Sequence, residues 1–297
     1  MKHIKTIIEQ VKYFLDKCSD DNISAIAGQS AFFIILSFVP FLMFAFAILS
    51  FLNIPQVIFD SYIENNLTSD VGMYLEQIIT SSYASAASVA LVTIIAALWS
   101  SGKGVYSVTE GIRVIYNLPN KHNWLIKRIF SAGYTFLMFI VLILAIIVSL
   151  ISNFFQDSIE PYIKTLPYAV TVLYGFRYLI MFVLVVLMIA LALKVYLRSR
   201  VEDKRYAKFR VQLPGAILTA FIWTLLSKGI NIYVELFNGF SIYGSIATAA
   251  VIMIWLYFTM YVFLCCVQFN YIYHKQIYNF KLRNLIKTKR IRIRKKK

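Results

Sequence analysis

Apolar residues along this chain come in long blocks, and the polar positions are swept into the gaps between them. The blocks lie at about 29–52, 84–101, 131–152, 169–193, 213–234 and 245–272. Each is close to the ~20 residues an α-helix needs to cross ~30 Å of hydrocarbon. The pattern predicts an all-α integral membrane protein built on a bundle of six transmembrane helices. The second block is the shortest and carries Ser85, Ser88, Ser100 and Ser101. The last is long enough to tilt or to project beyond the bilayer. A water-soluble alternative would require six core helices with almost no polar face to offer solvent.

Between and before the blocks, helical periodicity takes over. Ile4, Ile7, Ile8, Val11, Phe14, Leu15 and Cys18 recur on one face, with Lys5, Glu9, Lys12 and Asp16 elsewhere around the wheel. This is the signature of an amphipathic helix lying on the inner leaflet. Val105, Val108, Ile112 and Ile115 predict a second interfacial helix on the same side. The segment 55–82 predicts two short helices separated near Asn65-Asn66, with Pro55 suited to a first turn. The chain therefore divides into an amphipathic helix over 1–20, a membrane domain over 21–273 and a basic tail over 274–297.

Charge orients the bundle. Lys and Arg concentrate in 1–28, 102–130, 194–212 and the tail after 272, and only Lys164, Arg177 and Lys228 of the 30 basic residues fall elsewhere. The intervening connections hold acidic residues instead, among them Asp60, Glu64, Asp70 and Glu76. Basic residues on alternate connections place both termini inside (N-in, C-in), and that alternation requires an even number of spans. Composition agrees: hydrophobic residues make up 60% of the chain and the mean hydropathy is +0.69, against roughly 45–50% apolar usage in soluble domains.

Candidate chemistry is sparse. Cys18, Cys265 and Cys266 form neither a disulfide framework nor a zinc spacing and are assigned to packing. His3, His122 and His274 are scattered, and no Gly-x-Ser-x-Gly, phosphate-binding loop or Gly-x-Gly-x-x-Gly motif occurs. No catalytic residue, metal site or cofactor is predicted. Ionisable groups inside a span are costly to bury and are the first functional candidates. Arg177 lies in the fourth block, and Lys228, Asn231 and Glu235 share one face of the fifth at i, i+3 and i+7. They could line an outward-open cavity for an anion or lipid headgroup. Alternatively, both cations snorkel to the interface.

In the first block, Ser30 and Ser37 with their small neighbours allow close helix packing, and Pro40 predicts a kink. Gln268 and Asn270 read as interhelical hydrogen-bonding glue. The tail, Lys281 to Lys297, has no aromatic residue on which bases could stack. Anionic headgroups of the membrane lipids are its predicted partners, with no nucleic acid.

Several of these residues also form a pattern. Pro214-Gly215-Ala216, Trp223, Tyr233, Tyr243-Gly244-Ser245, Trp255-Leu256-Tyr257 and Asn270 follow one another in the last third. Ala31-Phe32-Phe33 with Ser37 and Pro40 precede them, as does the stretch from Ser101 to Tyr116. In order and spacing this resembles the YihY/BrkB family of bacterial membrane proteins, historically labelled ribonuclease BN. Relatives often end the last span with Gly-Ala-Glu-x-Asn, where this chain has Cys266-Val267-Gln268-Phe269-Asn270, so Gln268 could not serve a glutamate's ion-coupling role. The resemblance implies a multi-pass protein of the bacterial cytoplasmic membrane, conjectured to transport or handle lipids or small solutes. The competing reading is a non-transporting scaffold that engages envelope proteins through 53–83. A membrane nuclease is disfavoured because the chain lacks a ligand set for a catalytic metal.

Overall fold

The computed structural model describes residues 2–51, 55–57, 60, 69–83, 87–119, 129–131, 133–134, 140, 167–198, 200–236 and 244–294. Among them the regular elements are α-helices: α1 (Lys2–Asp20), α2 (Ile23–Phe51), α3 (Ser69–Tyr83), α4 (Ala87–Ile115), α5 (Pro167–Arg198), α6 (Phe209–Leu236) and α7 (Gly244–Arg294). Four stretches are long and apolar enough to cross a membrane: Ile23–Ser50, Leu179–Arg198, Phe209–Ile230 and Ala250–Lys275. They match the first, fourth, fifth and sixth blocks of the sequence. Most of the third block lies outside the described residues, as do 84–86 of the second, whose remainder falls within α4. The chain is a multi-pass membrane protein.

Helix ends follow from local chemistry. After α1 the chain turns at Asp21 and Asn22, the latter at φ 51°, a left-handed conformation that asparagine tolerates better than most residues. The turn is held by Asp21 N–H donating to the Lys17 carbonyl (3.1 Å) and Asn22 N–H to the Ser19 carbonyl (2.9 Å). α4 ends in a Schellman motif. Asn117 sits at φ 50°, Asn117 N–H donates to the Val114 carbonyl (3.0 Å) and Leu118 N–H to the Arg113 carbonyl (2.9 Å). Pro119 follows, where a helix cannot continue. The predicted second interfacial helix is thus the final part of α4, continuous with the second apolar block. α2 likewise runs unbroken through Pro40. Of the segment 55–82, the described residues include helical positions at 57 and 60, with Asp60 N–H donating to the Gln56 carbonyl (3.2 Å), and α3, while 58–59 and 61–68 lie outside the described residues. α7 continues as one helix of 51 residues, with no break where the basic tail begins.

Contacts divide the chain into two compact units. The first comprises Met1–Gly28, Glu110–Pro119 and Ser152–Lys297; its described helices pair as α5 with α6, α6 with α7, and α1 with α7. Its core is formed by Ile189, Leu193 and Leu197 of α5, Ala216 and Ala220 of α6, and Leu264 and Val267 of α7. The opposite faces are apolar and exposed: Leu179, Val183, Leu187, Leu191 and Val195 recur every fourth residue along α5. Lipid, as solvent, removes the penalty water would impose on such a stripe. The second unit comprises Gln29–Thr109 and Asn120–Ile151. In it α2 and α4 approach closely where Gly104 faces Ile34: a Cβ there would lie 3.2 Å from the Ile34 Cα.

Candidate functional site

Within the first unit, four segments meet in a buried amide cluster. Pro214 sits inside α6 and has no N–H to offer the ladder. Beside it, the Asn270 side chain of α7 takes hold of the α6 backbone. Gly215 N–H donates to Asn270 Oδ1 (2.8 Å), and Asn270 Nδ2 donates to the Gln212 carbonyl (3.1 Å) and to Gln212 Oε1 (3.2 Å). Gln212 Nε2 in turn donates to the Tyr206 carbonyl (2.6 Å). The Tyr116 hydroxyl lies against both ends of the Gln212 amide, 3.3 Å from Oε1 and 3.2 Å from Nε2. Gln212 and Asn270 are essentially inaccessible. Burial also pushes the Tyr116 hydroxyl above its ordinary range, so it stays neutral and serves as donor and acceptor.

Close packing makes this possible. A Cβ on Gly215 would come within 2.5 Å of Asn270 Nδ2 and 2.5 Å of the Cys266 carbonyl oxygen. Thr219, one turn on, returns its hydroxyl to the Gly215 carbonyl (2.7 Å), and Trp223 Nε1 donates to the Thr259 carbonyl (2.9 Å). Gly215, Thr219 and Trp223 therefore form one contact line against α7. Below the cluster, the rings of Tyr116, Tyr206, Tyr271 and His274 pack edge-on or tilted at 4.8–6.0 Å. The arrangement fixes the relative geometry of these segments. Among the described residues, no three His, Cys, Asp or Glu side chains gather as a metal site.

The residues singled out from sequence divide accordingly. Asn270, Gly215 and Pro214 come together as described. Gln268 departs from expectation: it is fully buried, yet neither end of its amide meets a hydrogen-bonding partner among the described residues, so of the two amides it is Asn270 that bonds across helices. Trp255 Nε1 is also buried without a hydrogen-bonding partner among the described residues. Ser30 and Ser37 are buried in the second unit, and Ser30 pairs with Ser107 at 3.1 Å. Lys228 is exposed on α6, in line with exposed Phe221, Leu225 and Ile232 at −7, −3 and +4. Next to it, a Cβ on Gly229 would meet nothing within 4 Å. The side chains of Arg177, Asn231 and Glu235, and all of Tyr243, lie outside the described residues; Gly244 opens α7. Gln212 and Tyr116 were not singled out as partners. The only local signal was a glutamine two residues before Pro-Gly at the start of an apolar block.

Comparison with known proteins places these elements in a wider set. A family profile described as "Virulence factor BrkB" matches residues 14–291. A Bacillus subtilis (strain 168) protein named "Putative ribonuclease-like protein YfkH" is 24% identical over 273 residues, covering 84% of this chain and 90% of its own. A Pseudoalteromonas translucida (strain TAC 125) protein named "UPF0761 membrane protein PSHAa0171" is 24% identical over 270 residues, covering 84% and 81%. No solved structure matches.

Proposed function

The chain belongs to the virulence factor BrkB family, and on that premise we propose that it is a six-span, N-in/C-in protein of the bacterial cytoplasmic membrane that moves lipids carrying an anionic headgroup. The observation that carries this reading is the placement of Lys228. A cation within an apolar span is retained at a cost, and this one stands in the middle of an exposed apolar line beside the open face at Gly229. Acyl chains would lie along Phe221 and Leu225, with a phosphate at the Lys228 ammonium near the outer leaflet. Arg177 on α5, with Asn231 and Glu235 on α6, completes the candidate set around an outward-facing polar cavity. Ser30 is already engaged by Ser107, which leaves the headgroup to the α5–α6 set.

The test is reconstitution into vesicles containing tail-labelled phosphatidylglycerol or phosphatidylcholine, with dithionite quenching to follow transfer between leaflets. The protein should accelerate transfer of the anionic lipid, and Lys228→Gln and Arg177→Gln should slow it several-fold while inserting normally. Wild-type rates in both variants would reduce Lys228 to an interfacial anchor. No acceleration by the wild-type protein would favour the envelope scaffold acting through 53–83.

The name of the B. subtilis relative raises RNA cleavage, and we infer that this chain has no such activity. In-line phosphodiester cleavage with metals requires clustered carboxylates or imidazoles, and the three histidines of this chain are far apart in sequence. Purified protein incubated with RNA and Mg²⁺, Mn²⁺ or Zn²⁺ should leave it intact. Cleavage that one substitution in this chain abolishes would overturn the inference.

A further inference from the structure

Two neighbouring helices each run an exposed apolar line into a cation, and the two cations stand at the same end. α5 and α6 pack against each other and are joined by the connection that follows Arg198. On α5, exposed Leu187, Leu191 and Val195 lead to exposed Arg198, the last residue of the apolar stretch Leu179–Arg198. On α6, exposed Arg210 lies in the first turn of the stretch Phe209–Ile230 and is followed by exposed Ile217, Phe221 and Leu225. The same line ends at Lys228. Arg210 and Lys228 are 18 residues apart, about five full turns, so they share one face, and ~27 Å separates them along the axis. A bilayer's hydrocarbon is ~30 Å thick. One exposed face of α6 thus carries a cation near each boundary, with apolar side chains between them.

Positive charge accumulates where the two lines meet the connection. Residues 198–210 hold six cations, Arg198, Arg200, Lys204, Arg205, Lys208 and Arg210, against Glu202 and Asp203. Asp203 is already engaged, accepting from Arg205 Nε at 2.9 and 3.1 Å. Lys204 Nζ donates to the Arg198 carbonyl (2.8 Å), which holds its ammonium over the end of α5. α6 has no acidic residue in its first turn, so exposed Lys208 and Arg210 stand at the positive end of that helix without a local offset. The backbone that displays these charges is fixed. Val201 and Ala207 are buried, the Tyr206 carbonyl accepts from Gln212 Nε2 (2.6 Å), and the Arg200 guanidinium lies 4.8 Å over the Tyr196 ring.

We propose that this cationic end of α5 and α6 is a binding site for an anionic phospholipid, separate from the basic tail and from Lys228. Arg198 and Arg210 donate charge-assisted hydrogen bonds to the phosphate, and Lys204 and Lys208 add positive potential. The acyl chains lie along the Leu187–Leu191–Val195 and Ile217–Phe221 lines. A phospholipid meets both halves of the site at once. A soluble anion would leave the apolar lines uncovered, and a zwitterionic lipid would bring its own ammonium to a surface already crowded with cations. On the proposed N-in/C-in topology this lipid belongs to the inner leaflet. The α6 face then offers Arg210 to one leaflet and Lys228 to the other. Binding here does not depend on transfer between leaflets.

The full-length protein, purified in a non-ionic detergent, is titrated with dioleoyl phosphatidylglycerol, dioleoyl phosphatidylcholine or glycerol 3-phosphate while its unfolding temperature is followed. Phosphatidylglycerol should raise that temperature saturably, and the rise should shrink in high salt. Phosphatidylcholine and glycerol 3-phosphate should leave it nearly unchanged. Arg198→Gln combined with Arg210→Gln should weaken the apparent affinity for phosphatidylglycerol by roughly tenfold or more. Arg290→Gln with Arg292→Gln in the tail, or Lys228→Gln alone, should keep most of the response. An equal shift from phosphatidylcholine would reduce the site to an apolar belt, and an equal shift from glycerol 3-phosphate would make it a site for soluble anions. Either result overturns the proposal, and both are read on the wild-type chain. So would an arginine-pair variant that responds as wild type does, or a response lost with the tail or Lys228 substitutions. No transfer between leaflets is measured, so a protein that moves no lipid still passes or fails on binding alone.

Discussion

Asn270 of α7 accepts the Gly215 N–H of α6 at 2.8 Å while its own N–H donates to the Gln212 carbonyl at 3.1 Å. One side-chain amide thereby engages both a donor and an acceptor of the α6 backbone beside Pro214. The fit requires the absence of a Cβ at 215, because the same amide and the Cys266 carbonyl occupy that space. Side chain and gap depend on each other.

Removing either half should be visible in stability. Asn270→Ala strands a buried N–H and weakens the hold on Gln212, a loss of about 1–3 kcal/mol for each group left unpaired. Asn270→Asp keeps the acceptor but turns an oxygen toward the Gln212 carbonyl, and should be at least as harmful. Gly215→Ala forces backbone apart and should destabilise by about 1–3 kcal/mol or more. Thermal unfolding in detergent, followed by a thiol-reactive or aromatic signal, measures all three. An Asn270→Ala protein that melts with the wild type would show the lock to be dispensable.

Glycines elsewhere separate close approach from mere helix composition. Gly111→Val should disrupt the meeting of α4, α2 and α7, since Leu264 and Ile26 already stand within 3 Å of a Cβ at that site. Gly229→Ala should be neutral or slightly stabilising, because its Cβ meets nothing and alanine is the better helix former by about 1 kcal/mol. Expression and unfolding temperature of the pair decide the matter, and equal behaviour would contradict the packing described for Gly111.

Topology can be checked by thiol labelling from either side. In a background lacking native cysteines, a cysteine at Asn65 or Asn238 should react with an impermeant maleimide in intact cells. A cysteine at Asn120 or Arg205 should react only once the membrane is opened. The expectation comes from the alternation of basic connections, and equal labelling at Asn65 and Asn120 would defeat a six-span, N-in arrangement.

Lys17 supplies a test in alkaline solution. Its hydrogen bond to Asp21 (2.7 Å) raises its pKa above the ordinary 10.5. Folding therefore favours the protonated lysine. The stabilisation is fully present below the unfolded value near 10.5 and is lost as pH rises through the higher folded value. Lys17→Gln should lower the unfolding temperature at neutral pH, in keeping with ~1 kcal/mol for a partly exposed pair. The gap to wild type should narrow above pH ~10.5. A gap that stays constant through that range would assign the effect to packing of the lysine stem.

Much of this protein is legible without coordinates because the bilayer is a demanding solvent. It requires long uninterrupted apolar helices, so the blocks around 29–52, 169–193, 213–234 and 245–272 stand out in one dimension, as does the periodicity that forms α1. Pro214-Gly215 and Asn270 could be marked as a pattern, but nothing in their spacing says that the amide grips the backbone. Gln212 and Tyr116, 96 positions apart, offer no periodic signal, and Gln268 reads as equivalent to Asn270, although its buried amide meets no hydrogen-bonding partner among the described residues. Hydropathy is a property of each segment taken alone. Hydrogen bonding between segments depends on rotation and depth of two helices at once, and only the folded chain specifies both.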